Sequence, residues 1–138
     1  MNEIKKILIA VDDASTSEKV AAEGFRLGQQ FNAEIALISV VDVTFLITEN
    51  EVTPDELSEM QEETLKQCQQ LLTYKVFDNH QVTTFLKRGE PSEVILKTAN
   101  EWQADLIVMG THGRSGLYHL LMGSVAEKVI QQRVPEPA

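Results

Sequence analysis

Three short runs of apolar residues stand out in the hydrophobic pattern of the chain. They cover residues 7–11, 35–41 and 106–109, and only Ser39 interrupts the second run. Runs of this length that are rich in Ile and Val are typical of strands buried on both faces, as in a parallel sheet. A weaker alternation of apolar and polar side chains over residues 82–87 predicts an edge strand.

Helical patterns fill the intervals between these runs. Ser15 and Glu18 have the spacing of a capping box, which predicts the start of a first helix. Its predicted inward residues are Val20, Gly24, Leu27 and Phe31. Thr53 followed by Pro54 predicts the start of a second helix, because proline suits the first helical position. The predicted inward stripe of this helix comprises Leu57, Met60, Thr64, Cys68 and Leu71.

A third helix is predicted to begin at Pro91, and a fourth near Gly123 or Ser124, ending at about Arg133. The third helix would bury Val94, Ile95, Thr98 and Trp102, and we interpret Trp102 as a core anchor rather than a ligand-stacking ring. Strands and helices then alternate along the chain. This order predicts an α/β fold, a single domain over residues 1–138 with an open parallel sheet and helices on both faces.

The composition narrows the class of protein. The chain has 21 acidic and 12 basic residues, a net charge of -9, and therefore lacks the basic surface on which non-specific nucleic-acid binding depends. No apolar run approaches the length of about 20 residues that a membrane-spanning helix needs, and no signal-peptide pattern is present. We therefore expect a cytoplasmic protein that does not insert into membranes. The single cysteine, Cys68, is interpreted as a small apolar filler because no cation flanks it.

Candidate binding residues follow the ends of the predicted strands. Ligands on open parallel sheets bind beyond the carboxyl ends of strands, where the strand order reverses. Asp12 follows the first strand, where its carboxylate could accept hydrogen bonds from ribose hydroxyls. A turn-forming or helix-capping role for Asp12 is an equally good interpretation, and for Asp13 we favour the cap.

The fourth strand runs into the segment GTHGRSGLYHLLMGS, residues 110–124, which holds four of the seven glycines and one charged residue, Arg114. Gly110 and Gly113 bracket a tight turn, and Gly123 precedes the last predicted helix, whose unpaired amides favour an anion. The nine residues between Gly113 and Gly123 could loop out and return, so that both glycine turns surround one phosphate chain. Ser124 could add a donor and Arg114 could pair with a phosphate. Alternatively, the glycines serve only as turn and cap residues and Arg114 lies exposed.

The spacing Gly110-x-x-Gly113, then nine residues, then Gly123-Ser124 resembles the ATP-binding signature of the universal stress protein family. ILIAVDDASTS is similar to that family's first strand and aspartate-bearing loop. ADLIVMGTHGRSGL and MGSVAEKV resemble its fourth strand, glycine loop and last helix, so that the likeness extends from residue 4 to about residue 133. The resemblance implies a Rossmann-like, α-hydrolase-like nucleotide-binding fold with the strand order 3-2-1-4-5.

The resemblance also implies a ligand and the residues that bind it. The ligand would be ATP, or else ADP or AMP, with Mg2+ or Mn2+ bridging its phosphates. Asp12 would contact the ribose, and the main chain at Ala10, Val11 and Val40 would line the adenine pocket. The positions that would surround the adenosine and the phosphates are Met109, Gly110, Gly113, Gly123, Ser124 and Val125.

The end of the chain departs from the family pattern. Family members usually end with a short apolar fifth strand that pairs with the same strand of a second subunit. Here the chain ends QQRVPEPA, and Pro135 and Pro137 donate no backbone hydrogen bond, so the final strand is predicted to be missing or altered. The fourth strand would then be an exposed edge, so we expect something to cover it, with a partner chain as one candidate. A homodimer through an unidentified surface is predicted.

Three functions remain open at this point. The first is an ATP-binding stress protein that acts as a nucleotide-dependent switch or adaptor for an unknown protein partner. The second is a weak ATPase or phosphotransfer enzyme, although the Walker-type GxxxxGK[ST] lysine is absent and no general base is evident beside the glycines. The third is an interaction module that binds no nucleotide, and the glycine spacing counts against it. We favour the first.

Overall fold

The structure, a computed structural model, describes residues 4–43, 54–78, 80–110 and 118–122. The strands are β1 (Lys6–Ala10), β2 (Glu34–Asp42), β3 (Thr83–Gly89), β4 (Leu106–Gly110) and β5 (Tyr118–Met122), and the helices are α1 (Ser17–Phe31), α2 (Pro54–Lys75) and α3 (Pro91–Trp102). The strands form one sheet in the order β3-β2-β1-β4-β5, in which β1 to β4 are parallel. The predicted α/β fold and the strand order 3-2-1-4 are confirmed, whereas the fifth position is occupied by an antiparallel strand, Tyr118–Met122.

Alternate residues of the central strands pack against helices on opposite faces of the sheet. Ile7 and Ile9 of β1 belong to a core cluster with Val20 of α1 and Leu72 of α2. Leu8, between them, belongs to a second cluster with Ile95 of α3. Because each face carries helices, the central strands are apolar without alternation, and the prediction of helices on both faces is confirmed. None of the helices in the described ranges is long and apolar enough to cross a membrane.

The start of α1 differs from the predicted capping box. The N-cap residue is Thr16, whose side chain makes no capping hydrogen bond. The chain enters the helix through a backbone turn in which Ser17 N donates to Ala14 O at 3.0 Å. Ser15 lies inside this turn and Asp13 is exposed before it, so neither residue caps the helix, and both capping predictions are wrong.

The buried face of α2 also differs from the predicted stripe. The helix begins at Pro54 as predicted, but the residues it buries are Ser58, Leu65, Gln69 and Leu72. Gln69 Nε2 donates to Ser39 Oγ at 3.0 Å and to Phe85 O at 2.9 Å. A polar side chain therefore occupies the centre of the buried face. The predicted inward residues Met60 and Leu71 are instead 61% and 56% exposed.

The prediction for α3 holds more closely. Ile95 and Thr98 are buried. Trp102 packs against the core cluster that contains Ile95, and its ring lies edge-to-face to that of Phe85, at 6.3 Å between centroids. The interpretation of Trp102 as a core anchor is confirmed. β3 pairs only with β2 among the described strands, so it is an edge strand as predicted.

β5 covers the free side of β4. It runs antiparallel to β4, with Tyr118 beside Gly110 and Met122 beside Leu106. The expectation that β4 is covered is therefore confirmed, but residues 118–122 of the same chain cover it and not a partner chain, and they supply the hydrogen bonds that the free side of β4 lacks. Residues 118–122 run back along β4, away from its carboxyl end. They therefore do not belong to the outward loop that was predicted between Gly113 and Gly123. The predicted fourth helix and residues 134–138 lie outside the described residues.

Candidate functional site

A cavity of about 910 Å³ opens at the carboxyl edge of the sheet. β1 lies between β2 and β4 there, so the strand order reverses at this point, where open α/β sheets bind their ligands. The volume lies within the range of about 300–1,000 Å³ that is usual for ligand pockets. The strand ends of β1, β2 and β4, the first turns of α1 and α3, and residues 57–65 of α2 contribute to its walls.

Six of the predicted site residues line this cavity: Ala10, Val11, Asp12, Val40, Met109 and Gly110. They come from three separate stretches of sequence and meet because parallel strands end at the same edge. A Cβ atom added at Gly110 would lie 2.9 Å from Val20 Cγ2, so close packing of β4 against α1 is one reason for glycine at this position. The other five predicted residues, Gly113, Arg114, Gly123, Ser124 and Val125, lie outside the described residues.

Asp12 is held in place by the buried side chain of Ser17. The Asp12 N–H donates to Ser17 Oγ at 2.9 Å, and the hydroxyl lies 2.8 Å from Asp12 Oδ1 and 2.9 Å from Asp12 O. Ala14 N also donates to Oδ1, at 2.9 Å. Asp12 therefore forms the turn after β1, which was one of the two roles predicted for it. Both hydrogen bonds that its carboxylate accepts from described residues use Oδ1, so Oδ2 is the oxygen that can accept from a ligand.

The described walls of the cavity combine apolar side chains with carboxylates. Apolar side chains reach it from all three strand ends, among them Val11, Val40 and Met109. The acidic residues that line it are Asp12, Asp13, Asp42 and Glu90, and no Lys or Arg does so among the residues that the structure describes. This surface suits a flat apolar group and hydrogen-bond donors such as hydroxyls, and it repels a bare anion.

Glu90 has a structural task at the rim of the cavity. Its Oε1 accepts from the backbone N–H of Glu93 at 2.9 Å and from Ser92 Oγ at 2.8 Å, which caps the N-terminus of α3. Partial burial acts to raise the pKa of Glu90, and the charge of Asp42 adds to that effect. The hydrogen bonds from Glu93 and Ser92 outweigh both, so the pKa of Glu90 lies below its ordinary value.

Sequence reasoning missed the wall that α2 contributes. Met60, Gln61 and Thr64 line the cavity from the N-terminal half of this helix. They follow a long segment between β2 and α2, and no motif or spacing connects them to the strand ends. Glu90 could have been found, because an acidic residue directly before Pro91 at a helix start is a usual cap position.

The described residues do not form a metal site of their own. Among them there is no group of three or more His, Cys, Asp or Glu side chains that could hold a metal ion. The pKa of the Cys68 thiol is raised by partial burial and by the negative charges of Asp13 and Asp12. A raised pKa disfavours the reactive thiolate, which agrees with the interpretation of Cys68 as a filler.

The chain is similar to known proteins along most of its length. It is 36% identical over 135 residues to a universal stress protein of Methanocaldococcus jannaschii, covering 94% of this chain and 78% of that relative. The fold matches a solved protein of the universal stress protein family from Burkholderia pseudomallei, with a TM-score of 0.71, 22% identity, and coverage of 94% and 90% of the two chains. A universal stress protein solved in complex with cAMP shares the fold at a TM-score of 0.54 and 12% identity, covering 77% of this chain and 72% of that one.

Family membership follows from the extent of the match. Residues 3–133 match the universal stress protein family, and this range includes all the described strands and helices. The glycine spacing that resembles the family's ATP-binding signature lies within this matching range. The chain belongs to the universal stress protein family.

Proposed function

We propose that this protein binds an adenine nucleotide, with ATP as the first candidate, in the cavity at the carboxyl edge of the sheet. Membership of the universal stress protein family supports a role in the stress response. In that role the protein would act in the cytoplasm as a nucleotide-dependent switch or adaptor. The observation that carries the proposal is the convergence of six predicted site residues on one cavity of about 910 Å³ where the strand order reverses.

The adenosine half of the ligand fits the described walls. Val11, Val40 and Met109 offer apolar surface for the adenine ring. Asp12 stands beside them, with Oδ1 engaged by Ser17 and Ala14. Its second oxygen is then oriented for a ribose hydroxyl, because the carboxylate cannot rotate without losing these bonds. The cAMP complex of a distant relative supports the capacity of this fold to hold an adenine nucleotide.

The phosphate half of the proposed site rests on resemblance alone. It comprises Gly113, Arg114, Gly123, Ser124 and Val125, which lie outside the described residues. The pairing of β5 does not support Gly123 at the cavity, because Met122 lies beside Leu106, at the opposite end of β4. The described walls are acidic, so a phosphate chain would have to extend away from these walls or bind cations that neutralise it. A divalent cation such as Mg2+ would arrive with the nucleotide and supply that neutralisation, because such ions take most of their ligands from phosphates and water.

The switch would act through the residues that connect β4 to β5. Their contact with bound phosphates would change a surface that a partner protein reads. Nothing in the described residues favours hydrolysis over binding, so binding is the function that we propose.

Two measurements test nucleotide binding. The freshly purified protein is denatured, and any released nucleotide is identified by mass spectrometry. ATP–Mg2+ is then titrated calorimetrically into the wild type, Asp12→Asn and Asp13→Asn. The two variants lose the same charge from neighbouring positions on the cavity wall, but only Asp12 is placed for the ribose. We expect Asp12→Asn to weaken binding at least about tenfold, as for a lost hydrogen bond to a charged acceptor, and Asp13→Asn to leave it within about threefold.

The outcomes are separable. Equal losses in both variants would mean that charge, and not a contact with Asp12, governs affinity. Absence of both released nucleotide and binding heat would overturn the proposal and would leave an interaction module that binds no nucleotide.

A further inference from the structure

The face of α2 opposite its buried residues carries a stripe of side chains, the first two of which, Met60 and Thr64, also line the cavity. The stripe comprises Met60, Thr64, Gln67, Leu71 and Tyr74, which alternate in steps of four and three and so share one side of the helix. Met60, Leu71 and Tyr74 are 61%, 56% and 78% exposed. They are three of the five large apolar residues that are exposed in the described part of the chain. This concentration on one helix face indicates a contact surface rather than scattered exposure.

Charges are divided unevenly along the same helix. Residues 55–63 contain five acidic side chains and no basic one, whereas residues 64–75 contain Lys66 and Lys75 and no acidic one. Arg88 pairs with Glu62 at 2.7 Å, and Glu18 pairs with Lys75 at 3.3 Å. Each half thus has one charge paired within the chain, and the first half is rich in acidic residues whereas the second half has none. If the α2 helices of two copies packed in parallel, their two acidic halves would face each other and repel. In an antiparallel arrangement, each acidic half faces the half that has no acidic residue.

We propose that a second copy of this chain packs on the α2 stripe, with the two α2 helices antiparallel across a two-fold axis near Gln67. A two-fold contact uses the same patch on both copies, which a stripe with complementary halves satisfies. Met60 of one copy then faces Tyr74 of the partner subunit at each end, and neutral side chains meet at the centre. One helix face buries less than the area of about 800 Å² per partner that is usual in stable complexes, so the dimer is reversible.

Sedimentation equilibrium of the full chain tests the association. The wild type should show a reversible monomer–dimer equilibrium. Leu71→Gln and Tyr74→Gln should each raise the dissociation constant at least about tenfold, whereas Tyr74→Phe, which keeps the apolar ring, should leave it within about threefold. Far-UV circular dichroism checks that each variant is folded. A wild type that stays monomeric up to about 1 mM, or glutamine variants that dimerise as tightly as the wild type, would overturn the proposal.

Disulfide cross-linking tests the orientation. In a Cys68→Ser background, Met60→Cys and Tyr74→Cys are oxidised separately and as a mixture of differently tagged chains. The antiparallel contact predicts that the mixture forms the mixed disulfide faster than either variant links to itself. Lys66→Cys is the control, because it lies about 120° around the helix from Met60 and should cross-link with neither. Faster linkage within each single variant, or equal linkage through Lys66→Cys, would contradict the antiparallel dimer.

Discussion

At the scale of single residues, the buried hydroxyl of Ser17 determines where the Asp12 carboxylate can point. Ser17 is only 6% exposed, and its oxygen contacts the backbone N–H, the backbone carbonyl and Oδ1 of Asp12. A side chain five residues away in sequence thus closes the turn that follows β1. If Asp12 binds a ribose, Ser17 is a positioning residue for it.

Removal of this hydroxyl should affect both stability and binding. Ser17→Ala leaves the Asp12 N–H without its acceptor, which should lower the free energy of unfolding by about 1–3 kcal/mol. It should also weaken ATP–Mg2+ binding, because the carboxylate becomes free to rotate. Ser17→Thr keeps the hydroxyl and serves as the control. Urea unfolding and calorimetry measure the two effects, and a less stable Ser17→Ala with wild-type affinity would limit the hydroxyl to a structural role.

At the scale of elements, the first turn of α3 couples stability to pH through Glu90. The pKa of Glu90 is depressed in the folded chain, below its ordinary value of 4.5, so the unfolded chain binds its proton more readily. The contribution of the cap to stability is therefore present above about pH 4.5, and it is lost as the pH falls through the lower pKa of the folded state.

Glu90→Ala should therefore destabilise the protein in a pH-dependent way. The expected loss is about 1 kcal/mol at pH 7, as for other N-cap residues, and it should shrink towards pH 3. Glu90→Gln retains an acceptor oxygen but cannot ionise, so its smaller loss should vary little with pH. Thermal unfolding of the three proteins between these pH values measures the difference. A constant gap between the wild type and Glu90→Ala would show that the charge of the cap contributes nothing.

The helices also show how far periodicity alone could predict the structure. For α1 and α3 it gave most of the buried residues, because Val20, Leu27, Ile95 and Thr98 are buried as predicted. Phe31, which was also predicted to face inward, is instead 40% exposed. For α2 it failed, because the helix buries Gln69 and Ser58 and exposes Met60 and Leu71. Hydrophobicity cannot identify a buried glutamine whose amide is satisfied by Ser39 and Phe85, since those partners lie on other elements.

At the scale of the whole molecule, strand ends were the most predictable part of the site. Apolar runs buried on both faces implied parallel strands, and parallel strands bring Asp12, Val40 and Met109 to one edge. The α2 wall and the antiparallel β5 were not predictable in the same way. Both depend on how the chain returns to the sheet after a connecting segment, which neither periodicity nor a motif encodes.

The charge of the whole molecule predicts a dependence on Mg2+. The net charge is -9, and four carboxylates line the described walls of the cavity, so ATP without a cation meets repulsion at close range. Removal of Mg2+ with EDTA should weaken ATP binding at least about tenfold, because salt only partly screens the repulsion between the ATP phosphates and the carboxylates of the cavity. Adenosine, which has no phosphate, is the control and should bind equally well under both conditions. Equal ATP affinities with and without EDTA would contradict the prediction.

The position of α2 has a consequence for how the protein could report on its surroundings. Met60 and Thr64 belong both to the cavity wall and to the face proposed for self-association. Two equilibria that share side chains are thermodynamically linked, and each changes the other by the same factor. Occupancy of the cavity would then depend on the concentration of the protein as well as on that of its ligand. A cell that accumulates this chain would thereby change the ligand concentration at which the cavity is half occupied.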